Sequence, residues 1–158
     1  MPKLTPFLWF NDNAEEAMNF YLSVFPNSRV VAIARYGEGG PGPKGSVMTA
    51  AFQLDGQDFV ALNGGPHFKF TEAVSFVVNC ETQAEVDRYW DQLLSGGGQP
   101  SQCGWLKDKF GLSWQIVPAI LNKLLADKDS AKTNRVMGAL MTMTKLDGEA
   151  LKRAYDGA

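Results

Sequence analysis

Two short stretches decide the fold: Glu16-Ala17-Met18-Asn19-Phe20-Tyr21 and Glu85-Val86-Asp87-Arg88-Tyr89-Trp90. Set over one another at an offset of 69, they keep the same helix face apolar, and the same offset lays residues 4–10 over residues 73–79. Around the first stretch, Ala14, Ala17, Met18, Tyr21, Leu22 and Phe25 follow helical spacing, with Asn13 as the expected N-cap and Glu15 and Glu16 in the positive first turn. Pro26-Asn27 ends that helix. Around the second, Thr82 is the expected cap of a helix reaching about Leu94, with Glu85 completing a capping box, and Gly96-Gly97-Gly98 ends it.

The flanks read as strands. Residues 4–10, Arg29 to Tyr36, Ser46 to Leu54 and Asp58 to Asn63 form the first set, the last two joined by the hairpin signal Asp55-Gly56. Glu72 to Asn79, Gln102 to Lys107 and Leu112 to Val117 form the second, turning at Asp108-Lys109-Phe110-Gly111. A strand–helix–strands unit that occurs twice predicts two half-domains related by a pseudo-twofold, neither able to bury its sheet alone. The expected boundaries are 1–66 and 67–118, followed by a helical extension, 119–158, with breaks near Asp127–Ser130 and Asp147-Gly148. The extension carries Val136, Met137, Leu140, Met141 and Met143, more apolar surface than a free tail leaves wet, so a homodimer is expected, with packing on its own domain as the alternative.

Composition narrows the class. Fifteen Lys and Arg against seventeen Asp and Glu leave no basic field for a phosphate backbone, so nucleic acid is not an expected partner. No apolar run reaches the roughly 20 residues of a bilayer crossing. Residues 1–10 have no continuous apolar core, and two cysteines give neither a disulfide framework nor a zinc spacing; a cytoplasmic protein is expected.

Gly37-Glu38-Gly39-Gly40-Pro41-Gly42 matches the dinucleotide pattern G-x-G-x-x-G letter by letter. Such loops work because the last glycine opens a helix whose N-terminus holds the phosphates, and here Pro43-Lys44-Gly45 and a strand follow. The stretch reads as a hairpin loop. His67, the single histidine, sits in a Gly-Gly-Pro-His loop and cannot form a histidine cluster; Cys103 has no base beside it in sequence. These two are the weak catalytic candidates. The aromatics Phe7, Trp9, Trp105 and Trp114, with the polar Asn63, Ser75 and Gln115, are the expected lining of a small-molecule pocket in the cleft between the curved sheets.

The block Cys103-Gly104-Trp105-Leu106-Lys107-Asp108-Lys109-Phe110-Gly111-Leu112-Ser113-Trp114-Gln115-Ile116-Val117-Pro118 resembles the PhnB-like branch of the vicinal oxygen chelate superfamily, the fold of glyoxalases, bleomycin-resistance proteins and extradiol dioxygenases. The resemblance extends to Pro6–Phe10 with Asn19-Phe20-Tyr21, to Leu62–Pro66, to Arg135-Val136-Met137 and to Lys145-Leu146-Asp147. It implies an α+β fold of two βαβββ modules in a cupped mixed sheet, commonly as a homodimer, and carries the family label of a demethylubiquinone methyltransferase. In metal-using relatives one His or Glu from each of four strands binds a divalent ion. Carried onto this chain, those positions hold Pro6, Val60 or Ala61, Ser75 and Gln115, none of them carboxylate, imidazole or thiolate, so no metal and no cofactor are expected. The expected function is metal-free binding of a small apolar or aromatic molecule. An enzyme acting on a carbonyl or aromatic substrate is the alternative. Methyl transfer stands third, because no strand–glycine loop–helix exists to hold a methyl donor.

Overall fold

The computed structural model describes residues 2–158 as two compact units, the first ending at Phe70 and the second comprising Thr71–Ala158. The first unit carries β1 (Phe7–Phe10), α1 (Ala14–Val24), β2 (Arg29–Arg35), β3 (Val47–Leu54) and β4 (Gln57–Asn63). Its sheet has the order β1-β4-β3-β2, with β1 parallel to β4 and the other pairs antiparallel. The unit runs past the expected boundary at Pro66 because Phe68 and Phe70 turn back to meet Trp9 and Phe10 edge-on, at ring-centroid distances of 4.8 and 5.2 Å.

Alternation along the strands separates two faces. Leu8, Phe10, Ala50, Phe52, Phe59 and Ala61 are buried with Ala14, Ala17, Met18, Tyr21 and Val24 of α1, which packs on β3 and β4. The opposite face presents Phe7, Trp9, Thr49, Val60 and Leu62, which share register across β1, β4 and β3. Asn13 is the N-cap residue, as expected, its carbonyl accepting from Ala17 N at 2.9 Å, but its side chain makes no capping bond. The side-chain bond comes instead from Asn63 on β4, whose Oδ1 accepts from Ala14 N at 2.8 Å while its Nδ2 donates to the Val47 carbonyl at 3.0 Å.

The second unit repeats the pattern with β5 (Ser75–Cys80), α2 (Gln83–Leu94), β6 (Gln99–Pro100), β7 (Trp105–Lys107) and β8 (Ser113–Pro118), in the order β5-β8-β7-β6. Thr82 Oγ1 accepts from Glu85 N, as the capping pattern predicts. The continuous strand expected over Gln102 to Lys107 is broken, because Cys103 and Gly104 both take positive φ (60° and 84°) and turn the chain between β6 and β7.

The extension forms α3 (Ala119–Leu125), α4 (Ser130–Leu140) and α5 (Gly148–Asp156). It packs on its own unit: Leu121, Leu124, Val136, Leu140, Leu146 and Leu151 form one cluster with Val117 at the end of β8. Gln83 of α2 fastens the entry to α5, accepting from Gly148 N and donating to the Leu146 carbonyl, both at 2.9 Å. Val136 and Leu140, on which the dimer expectation leaned, are buried here, while Met137 and Met141 are exposed. None of the helices is long and apolar enough to cross a membrane among the described residues.

Candidate functional site

The first unit has a half-open cavity of about 610 Å³ between the ends of β1 and β4 and the loop joining β2 to β3. Trp9 and Leu62 come from the open sheet face, Val47 and Met48 from the start of β3, and Tyr36, Pro41, Gly42 and Pro43 from the loop. Most of the walls are therefore aromatic or aliphatic. Each large ring is locked by a glycine. Trp9 Nε1 donates to the Gly65 carbonyl at 2.9 Å, and a Cβ on Gly64 would lie 2.4 Å from the indole. A Cβ on Gly42 would lie 2.4 Å from the Tyr36 ring. Gly42 thus lets the 37–45 loop pass close against the Tyr36 ring, and β3 follows the loop with no helix between.

Of the expected lining, Trp9 and Asn63 reach this cavity. Asn63 does so with both ends of its amide already bonded, so it shapes the wall more than it offers a free polar group. Phe7 stands two residues from Trp9 on the same face and is 59% exposed. His67 lies on an exposed turn beyond the glycines.

In the second unit the strand register sorts the remaining residues. Ser75, Trp105, Lys107, Ser113 and Gln115 share the face opposite α2. Trp114 and Gln115 are neighbours on one strand and point to opposite faces, so the expectation that both line one pocket is corrected. Trp114, 3% exposed, sits on the α2 side with Leu106 and Ile116. Its Nε1 donates at 2.9 Å to Asp108 Oδ2, while Asp108 Oδ1 accepts from Phe110 N and Leu112 N at 2.8 and 3.1 Å. A carboxylate that looks from sequence like an ordinary turn residue is thus the buried organiser of the 108–111 turn.

Cys103 sits at the outer turn, its N–H donating to the Met143 carbonyl at 2.8 Å and its Sγ 3.8 Å from Met141 Sδ. Gly104 N donates to Thr144 O, and Ile116 N to Gly104 O, each at 2.8 Å. The Cys-Gly-Trp block is therefore a clamp between β8 and the extension. Cys80 is fully buried, and burial pushes its thiol up to about 11, an inert core sulfur.

The inherited metal positions can be tested on their donors. Pro6 contributes only a backbone carbonyl, which accepts from Val60 N at 3.0 Å. The register puts Val60 on the open face and Ala61, fully buried, on the helix side, which resolves that ambiguity without adding a ligand. Gln115 Nε2 donates to Ser75 Oγ at 2.9 Å, so the two polar positions satisfy each other. Among the described residues no three His, Cys, Asp or Glu side chains converge. This donor set does not fit a divalent ion.

Paired βαβββ modules with this connectivity define the glyoxalase/bleomycin-resistance fold of the vicinal oxygen chelate superfamily. Within it, residues 2–117 match the family described as 3-demethylubiquinone-9 3-methyltransferase, and the chain belongs to that PhnB-like family. A PhnB protein from Bacillus cereus is 42% identical over 75% of this chain and all of its own, with a TM-score of 0.68. Protein PA1353 from Pseudomonas aeruginosa is 22% identical, covering 75% of this chain and 98% of its own, with a TM-score of 0.61. The fosfomycin resistance protein FosX from Listeria monocytogenes, complexed with Mn(II) and sulfate ion, shares the fold at 14% identity, 79% and 97% coverage and a TM-score of 0.55. No curated protein shows significant similarity to the chain.

Proposed function

We propose that this chain binds a small apolar or aromatic molecule in the cavity of its first unit, without a catalytic metal. The observation that carries the reading is the cavity itself: its volume suits a small organic ligand, and Trp9, Tyr36, Val47, Met48 and Leu62 supply mostly apolar wall. Desolvation of an apolar ligand drives such binding, and the glycine-seated indole and phenol rings are held in place before the ligand arrives. FosX holds Mn(II), but the carboxylates and imidazoles that hold such an ion have no counterparts at Pro6, Val60, Ser75 and Gln115 here. Methyl transfer, which the family description names, draws no support from the 37–45 loop, since it leads into a strand and offers no helix N-terminus to a charged methyl donor. Catalysis by Cys103 draws none either, its surroundings being a methionine sulfur and backbone.

Mass spectrometry of small molecules released by denaturing undialysed protein tests the reading. The wild type is expected to release an apolar compound in near-stoichiometric amount, and folded Trp9→Ala at least tenfold less. Equal release from both proteins, or none from either, would overturn it.

A further inference from the structure

On the open face of the second unit, Ser113 is 1% exposed and its Oγ finds no hydrogen-bond partner among the described residues. Burying a hydroxyl unpaired is unfavourable, and such groups are uncommon enough in folded proteins to require a reason. Its neighbours suggest one. Register places Lys107 of β7 on one side of Ser113 and Ser75 of β5 on the other, with β8 between them. Lys107 Nζ is ion-paired with Glu72, which lies just ahead of β5. Glu72 is three residues ahead of Ser75, so the Lys107–Glu72 pair joins β7 to the chain entering β5 across the end of β8 that begins at Ser113. Lys107 holds the Glu72 carboxyl below its ordinary range, so this is a carboxylate lying against an ammonium. Glu72, Lys107 and Ser113 line a recess of about 330 Å³ together with Trp105 and residues 99–101.

We infer that this recess is a second binding site, for an aryl carboxylate, in which Glu72 occupies the ligand's place on Lys107 until the ligand displaces it. The incoming carboxylate accepts from Lys107 Nζ and from the otherwise unpaired Ser113 Oγ, and the aryl ring lies against Trp105, two residues from Lys107 on the same face. Release of Glu72 to water frees Lys107, and no other change in the fold is required. The site uses none of the residues of the first unit's cavity and stands independently of the function proposed for it.

Calorimetric titration of the full chain with benzoate tests the inference, with inorganic phosphate as a comparison anion. Glu72→Gln removes the competing carboxylate and is expected to tighten benzoate binding at least threefold. Ser113→Ala deletes one donor to the ligand and is expected to weaken it at least threefold, with no fall in the urea midpoint, since the hydroxyl makes no bond in the free fold. That split separates a binding role from a structural one. Benzoate affinity unchanged in both variants, or no binding to either the wild type or Glu72→Gln, would overturn the site. Binding abolished by Trp9→Ala but untouched by Glu72→Gln and Ser113→Ala would also overturn it, by placing benzoate in the first unit's cavity. An equal gain for phosphate in Glu72→Gln would overturn the aryl specificity.

Discussion

Replacing Gly104 with alanine is expected to lower the folding stability by about 2–5 kcal/mol, read as a fall in the urea midpoint at unchanged slope. Two effects add. Gly104 has φ of 84°, where a side-chain-bearing residue costs roughly 1–2 kcal/mol. The added Cβ would also lie 2.9 Å from Leu146 Cγ and 3.0 Å from the Ile116 carbonyl, an overlap of the kind that costs about 1–3 kcal/mol because the backbone has to give way. Gly56 isolates the first effect: its φ is 80°, but a Cβ there meets nothing within 4 Å. Gly56→Ala should therefore cost about 1–2 kcal/mol. Equal losses at the two positions would show that contact with Leu146 does not hold the Cys-Gly-Trp turn to the extension.

Asp108→Asn is expected to cost about 2–4 kcal/mol. Its two carboxylate oxygens accept from two backbone N–H groups and one indole N–H, all in or beside the core. Asparagine keeps one acceptor oxygen and turns an amide donor toward the remaining N–H. Each charge-assisted bond contributes about 1.5–3 kcal/mol, and a buried donor left without a partner costs more than the bond alone. Denaturant unfolding followed by tryptophan fluorescence reads both the loss and the release of Trp114. A cost below about 0.5 kcal/mol would contradict the organising role given to Asp108.

These two residues also mark where sequence reading stops. Helical periodicity located α1 and α2, turn chemistry located the Asp55-Gly56 hairpin, and the offset of 69 disclosed the repeat, because each is a pattern among near neighbours in the chain. The contacts that shape the site are remote. The side chain that bonds the first N–H of α1 is that of Asn63, 49 residues beyond Ala14, rather than that of the N-cap residue Asn13, and nothing local announces it. Gly104 is required by Leu146, and the conformation of the Cys-Gly pair by Met143 and Thr144, all in a segment that reads on its own as part of a helix. Strand alternation implies that Trp114 and Gln115 face opposite ways, but which of them faces α2 depends on the register with β5 and β7. The glycine loop was recognisable as a hairpin, yet its part in walling the cavity comes from the Tyr36 ring packing against Gly42, a relation with no sequence signature.

The central claim is that this chain keeps the fold of a metal-binding superfamily while binding its ligand without the metal. Elemental analysis of protein purified without chelator tests it most directly. Two neutral side chains that bond to each other, Ser75 and Gln115, cannot repay the cost of stripping water from a divalent ion, so the analysis should find well under about 0.1 divalent ion per chain. About one ion per chain, lost on Gln115→Ala, would contradict the account.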